Sequence, residues 1–469
     1  MTYALWPEYS VVIGVFVTMI AVMVFNRRSI QAYWVGLATI VVSGIITIAD
    51  WSSKSLPVAL YGHAVTVDAF SLVVNGLVLV AAAGALMIGW NDKRYGPDFP
   101  VLVLLALLGM MVLGLANNFV VLFIGIELLS LPLYILAASR GTGESGEAGL
   151  KYLLLGAFSS GILLFGLALL YGASGTLVFT HLDPAHMILP LAGAGLALTV
   201  VGLVFKLGIV PFHMWIPDVY EGSPLPVTTY MAFGTKVGAA AILMRFLFFG
   251  FSLDAGWWGP ALGYLAVLTM VVGNLLALAQ KDLKRLLAYS GIANAGYLLV
   301  GISAHNMFGA RALLFYLLPY GLAVLAAFAV IQFVAGERDS LSLDDLTGLA
   351  YRSPWLAAFL TVAMLSLAGI PLTGGFVGKF YLIQAALFAN QPGLAIGLVV
   401  GAMVGLAAYV RPLQRAFSKA AGEFSEPIRW PVAGSIVLVV AVVATIGLGV
   451  YPAPVVHIVN HSAAFYWLH

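Results

Sequence analysis

Four ionisable residues interrupt long apolar runs: Glu127 in NNFVVLFIGIELLSLPLY, Lys206 in LTVVGLVFKLGIVP, Lys236 in YMAFGTKVGAAAILM and Lys379 in LTGGFVGKFYLIQAA. A charge at the centre of a bilayer costs roughly 2.5–3.5 kcal/mol on insertion scales, so such residues mark an ion or proton path before anything else. Burial strips an ammonium of hydration, and a nearby carboxylate restores the charged form. At about 4 Å and an effective dielectric near 20 such a pair is worth roughly 4 kcal/mol. Making and breaking it would switch a lysine between holding and releasing a proton. Glu127 is the one carboxylate read as deep, so it is the candidate partner, with Lys206 the preferred lysine. Lys236 and Lys379 are expected to be neutral or to lean on water and hydroxyls such as Thr235, Thr373 and Tyr381. The competing reading is a static Glu127–lysine pair with the other lysines snorkelling, although Lys236 lies too near mid-helix to snorkel easily.

The elements that position these groups are membrane helices. Of the 469 residues 62% are hydrophobic and 9% charged, with mean hydropathy +1.04; a soluble protein carries roughly 25% charged residues. A net charge of +2 gives no reason to expect nucleic acid. The absence of cysteine excludes disulfides, thiolate-held iron–sulfur clusters and a thiol nucleophile in this chain. The start, MTYALWPEYSVVIGVF, lacks a basic segment and a small-residue cleavage site, so its apolar run is expected to be a retained span. Runs of about 20 apolar residues fall at 8–25, 32–50, 68–90, 98–115, 118–138, 150–173, 187–211, 225–250, 256–279, 285–304, 309–335, 354–388, 393–416 and 431–450. They predict an all-α polytopic protein with about 14 spans.

The basic residues orient it. Arg27, Arg28, Lys93, Arg94, Arg140, Lys151, Lys281, Lys284, Arg285, Arg338, Arg352, Arg411, Arg415, Lys419 and Arg429 fall in alternate loops; only Lys54 and Arg311 fall in the opposite ones. That asymmetry puts the first set in the cytoplasm and both termini outside. Arg245, near the outer end of its helix, reads as an anchor that snorkels.

Two spans carry helix breakers at membrane depth: Pro211 after Lys206, and Gly369-Ile370-Pro371 before Lys379. Proline removes a helix hydrogen bond, and freed backbone groups in a membrane need protein or a hydrated cavity. The breaks lie in spans 7 and 12. Five spans is an odd separation, so spans 4–8 (98–250) and 9–13 (256–416) form a candidate inverted pair between an N-terminal group (1–97) and a final span (431–450). Paired broken helices point to a transport site. His213, beside the first break, either extends a proton path or caps broken backbone. His181 and His186 read as solvated, no zinc-ligand spacing occurs, and Gly141-Thr142-Gly143 lacks the context of a phosphate loop.

VGLVFKLGIVPFHMWIPDVYEGSPLPVTTYMAFGTKVGAAAILMRFLF, KDLKRLLAYSGIANAGYLLVG, MLSLAGIPLTGGFVGKFYLI and NNFVVLFIGIELLSLPLYILAASR resemble motifs of the antiporter-like, proton-translocating subunits of respiratory complex I, NADH–quinone oxidoreductase. PDVYEGSP, the span number and a lysine at 379 resemble its N branch. The resemblance covers nearly the whole chain. It implies a single antiporter-like membrane domain in the bacterial inner membrane, with Glu127 and Lys206 as a span 5/span 7 pair, Lys236 as central relay, Lys379 as relay of the second half-channel and Lys151 as a basic position near the cytoplasm. It also implies that FMN, iron–sulfur clusters, NADH and quinone sit in partner subunits, and that the neighbours are K-like and M-like subunits and the lateral helix of an L-like one. The family's ring nitrogen in span 10 falls on Asn294, which cannot hold a proton at neutral pH; water would have to substitute. Two other classes stay open: a sodium/proton antiporter subunit, and an assembly scaffold with static charges.

Overall fold

The computed structural model describes residues 2–25, 30–52, 56–90, 92, 94–183, 186–252, 255–336, 338, 340–419 and 428–464. Arg27, Arg28, Lys54 and Lys93, counted above for orientation, lie outside them. Helices cover every apolar run read from the sequence. The N-terminal group is α1 (Trp6–Val24), α2 (Ile30–Trp51) and α3 (Ala69–Ile88); then come α4 (Phe99–Leu115), α5 (Phe119–Ala137), α6 (Gly143–Ser174) and α7 (Leu189–Leu207). After the first break follow α8 (Trp215–Gly222), α9 (Leu225–Tyr230), a π-helical turn (Met231–Thr235) and α10 (Lys236–Gly250). The rest are α11 (Ala255–Ala279), α12 (Leu283–Ser303), α13 (Met307–Ala335), α14 (Leu349–Arg352), α15 (Pro354–Ala368), α16 (Gly374–Phe388), α17 (Pro392–Phe417), α18 (Val432–Val450) and α19 (Ala453–Ala464). Among the described residues twelve helices are long and apolar enough to cross a membrane, counting 225–250 as one; α4, α15 and α16 are shorter.

The helices sort into an inner and an outer set. Residues 225–250, α12 and α13 are 94% buried over their apolar windows, whereas α1, α2, α6, α17 and α18 are buried over less than half. The outer set turns Phe16, Ile20, Phe158, Phe165 and Met403 outward, a surface that suits lipid or another apolar chain. Where helices press closest, glycine makes room: a Cβ at Gly166 of α6 would stand 2.5 Å from the Thr199 backbone nitrogen of α7, the small-residue contact expected without a hydrophobic drive between helices.

The sequence reading did not include a two-stranded antiparallel hairpin, β1 (Val58–Leu60) and β2 (Val65–Val67). Backbone bonds Asn117 N–H to Ala64 O (3.0 Å) and Phe179 N–H to Asn117 O (2.9 Å) stitch it to two further loops. This side, where α3 and α5 begin and α10 ends, is termed the hairpin face.

Both breaks are real interruptions with one hydrogen-bond pattern. α7 ends where Gly208 takes φ +81°, with Gly208 and Ile209 N–H both reaching Val204 O; α15 ends where Gly369 takes φ +84°, with Gly369 and Ile370 N–H both reaching Leu365 O. A left-handed residue after the last turn that draws the next amide back is the glycine stop of a helix. Proline follows shortly in each (Pro211, Pro371).

Candidate functional site

Lys206 sits in the last turn of α7, just before that stop, and is 4% exposed. Its ammonium donates to Ser130 Oγ (2.7 Å) and Tyr152 OH (3.1 Å). It also lies 5.5 Å from the Tyr134 ring centroid and 4.9 Å from that of Tyr152, within cation–π range. Ser130 stands one turn after Glu127 on α5. Glu127 accepts from Ser160 Oγ of α6 at 2.5 Å and is half-buried. The expected direct Glu127–Lys206 pair is corrected: no ion pair joins them, and each ends on a serine. The carboxylate leans toward α6 and the partly open flank of α5, while the lysine turns into the aromatic wall behind Ser130. Glu127 still acts on the ammonium through space.

Lys236 and Lys379 find a partner type that the sequence reading left out. Lys236, 1% exposed and directly after the π-helical turn, donates to Leu207 O at 2.7 Å. Lys379, 5% exposed, donates to Leu367 O (2.7 Å) and Ala368 O (3.1 Å), 4.5 Å from the Tyr297 ring centroid. Each therefore caps the carbonyl end of a broken helix. Those last carbonyls have no intrahelical partner, and they carry the negative end of the helix dipole. Two of the three hydroxyls expected to serve these lysines are engaged elsewhere: Thr235 donates to Met231 O (2.6 Å) and Thr373 to Ile370 O (2.7 Å). A third lysine repeats the device. Lys284, read as a loop charge, is buried in the first turn of α12 and donates to Glu221 O (2.5 Å) and Ser223 O (2.7 Å) at the end of α8.

Side chains fill the space between Lys236 and Lys379. Asn294 is fully buried and donates to Ser290 O (2.7 Å), Ser290 Oγ (3.3 Å) and Tyr409 OH (3.3 Å) while accepting from Tyr316 OH. Tyr409 and Ser290 hydroxyls meet at 2.6 Å. The Tyr316 ring lies between those of Tyr297 and Tyr320, 6.3 Å from each. A hydroxyl cluster, rather than water alone, surrounds Asn294.

Opposite the hairpin face, Lys151 reaches Asp218 and Glu147, each at 2.8 Å, while Arg285 reaches Asp218 (3.0 Å) and Glu221 (2.6 Å). These line a polar cavity of about 520 Å³ with Arg140 and Glu144. Lys151 bonding holds the Asp218 carboxyl below its ordinary range, with Arg285 adding to it. His213 lies in the first break, half-buried. Its ring meets the Pro211 backbone at the break.

Two buried carboxylates escaped the sequence reading of a single deep one. Glu8 of α1 is 6% exposed and accepts from Asn75 Nδ2 at 2.8 Å. Asp68 and Arg245 are both fully buried and paired at 2.5 Å, so Arg245 anchors its helix as expected but does not snorkel. Asp68 also accepts from Ser71 N–H as the N-cap of α3; Asp-x-x-Ser before an apolar run is the signal that could have found it.

The arrangement defines a class: a polytopic membrane protein with buried lysines set at two broken helices. Residues 116–405 match the family model described as NADH:quinone oxidoreductase/Mrp antiporter, TM. The chain is 40% identical to NADH-quinone oxidoreductase subunit N of Gemmatimonas aurantiaca over 93% of its own length and 86% of the relative's. It resembles a chain of respiratory complex I from Thermus thermophilus at TM-score 0.85 and 35% identity, covering 97% of this chain and 100% of that one. A chain of the Mrp complex from Dietzia, 24% identical, shares the fold at TM-score 0.88, over 100% and 98% of the two chains. The chain belongs to the NADH:quinone oxidoreductase/Mrp antiporter membrane-subunit family. Within it, its place is in the subunit N group.

Proposed function

We propose that the chain is the N subunit of a proton-pumping NADH–quinone oxidoreductase and moves protons along Glu127, Lys206, Lys236 and Lys379. Redox groups (FMN, iron–sulfur clusters, NADH and quinone) belong to partner subunits. The exposed apolar faces of the outer helices meet lipid and the K-like and M-like neighbours, with the L-like lateral helix alongside. All fourteen runs cross the bacterial inner membrane, in two inverted repeats (98–250 and 256–416), and both termini lie on the periplasmic side. The shared hydrogen-bond pattern at Gly208 and Gly369 supports the repeats; the 15-to-2 distribution of loop basic residues supports the orientation.

One observation carries the proton role. The three lysine ammoniums rest on hydroxyls and helix-end carbonyls, without a carboxylate in contact. A carboxylate would lock the charge, and removing the proton would strand an anion in the membrane. A carbonyl or hydroxyl accepts a hydrogen bond from a neutral amine as well as from an ammonium, so each lysine can cycle its proton without losing its anchor. Lys206 answers to Glu127 through space, which lets movement of that carboxylate bias the first lysine. Lys151 and the cavity around Asp218 form the cytoplasmic approach, and His213 a side relay at the break.

The test is Lys206→Ala in the assembled complex. The proton-to-electron ratio in inverted membrane vesicles is expected to fall while assembly persists. An unchanged ratio would leave these charges as static scaffolding.

A further inference from the structure

We propose that Glu8 is a second intramembrane proton-binding site, separate from the lysine line, in which a protonated carboxyl is closed in a cyclic pair with the Asn75 amide. Glu8 lies in the first turn of α1, and Asn75 two turns into α3. They are 6% and 0% exposed. Asn75 Nδ2 donates to Glu8 Oε1 at 2.8 Å. The other oxygen of each group, Glu8 Oε2 and Asn75 Oδ1, is buried without a partner. Rotating the amide does not help, since that would set oxygen against oxygen. One proton on Oε2 satisfies both atoms: the acid donates from Oε2 to Oδ1 while the amide donates to Oε1, closing the two hydrogen bonds of an acid–amide pair. The ionised form would instead leave a buried carboxylate on the Asn75 amide and its own backbone N–H, with no cation in contact among the described residues, an expensive arrangement.

The surroundings fit a proton that comes and goes. Arg245 of α10 is committed to Asp68, which lies on the same face of α3, seven residues before Asn75. Asp50, near the end of α2, is half-buried, acts on Glu8 through space and has its own unpartnered Oδ2. At the end of α2 it offers the proton a stepping point. Among the described residues the other titratable groups nearby are Tyr9 of α1, whose hydroxyl meets that of Tyr61 in the hairpin at 2.9 Å, and His461 of α19, whose ring packs on Trp51. α4, which also packs on α1, carries no titratable residue.

Infrared difference spectroscopy on the purified complex tests this. A protonated-carboxyl band is expected at neutral pH, lost in Glu8→Gln and downshifted after exchange into deuterium oxide. Glutamine reproduces both hydrogen bonds without a titrating proton, so Glu8→Gln should assemble. If it fails to, Asn75→Leu serves: the acid loses its partner and its band should move to higher wavenumber. A spectrum in which neither variant changes a carboxyl band overturns the proposal, because Glu8 is then ionised and held by water or a cation. A band that never exchanges with deuterium overturns it equally, by showing a sealed structural proton.

Discussion

At the scale of single residues, the buried lysines are defined by what they touch. Lys236 holds Leu207 O, the last carbonyl of α7, one residue beyond Lys206. Replacing it by methionine keeps the stem and removes the donor. That leaves a buried carbonyl unpaired, at a cost of about 1–3 kcal/mol, and breaks the line between Lys206 and Lys379. The Lys236→Met complex should show a lower thermal midpoint and a proton-to-electron ratio well below wild type, read by calorimetry and vesicle acidification. Wild-type values on both would remove Lys236 from the path. Asn294 is legible as a departure from the family pattern, but its neighbours are not. Tyr316 and Tyr409 come from α13 and α17, and nothing in their local sequence announces that three helices converge on one amide.

At the scale of elements, the breaks decide where charge can stand. Gly369 adopts φ +84°, and a Cβ there would lie 2.7 Å from Lys379 Cδ. A left-handed residue with a side chain costs roughly 1–2 kcal/mol, and here the added methyl also pushes the lysine off Leu367 and Ala368. Gly141, at φ +74° with nothing within 4 Å of its Cβ, pays the backbone strain alone. Gly369→Ala should therefore depress both thermal stability and pumping, whereas Gly141→Ala should depress stability modestly and leave pumping intact. Equal effects on pumping would show that lysine position at the break is not critical. The break sites were readable because glycine and proline act locally. That the two stops share one hydrogen-bond pattern was not.

At the scale of the whole molecule, the polar network opposite the hairpin face ties three distant segments together: α6 through Lys151, α8 through Asp218 and α12 through Arg285. The folded Asp218 carboxyl titrates below its ordinary value near 4 because Lys151, and with it Arg285, favours the anion. Its contribution to stability is therefore complete above that value and is lost as pH falls through the lower, folded one. The thermal midpoint of the purified complex should drop below about pH 4, and Asp218→Asn should flatten that part of the profile. A profile unchanged by the substitution would show that the network adds nothing to cohesion. High salt should weaken it as well, since these groups are part-exposed.

The sequence by itself determined the class of protein, the helix positions, the two breaks and the lysines that stand beside them. Hydropathy, glycine and proline act over a turn or two of chain and need no partner to be read. Only the tertiary structure decided what each charge touches: Ser160 on Glu127, Ser130 and Tyr152 under Lys206, helix-end carbonyls under Lys236, Lys284 and Lys379, Asp68 against Arg245, and Glu8 against Asn75. The physical reason is that a buried charge is stabilised by whichever dipoles the packing brings within about 3 Å. In a helical membrane protein those come from segments tens to hundreds of residues away, whose approach no local pattern encodes.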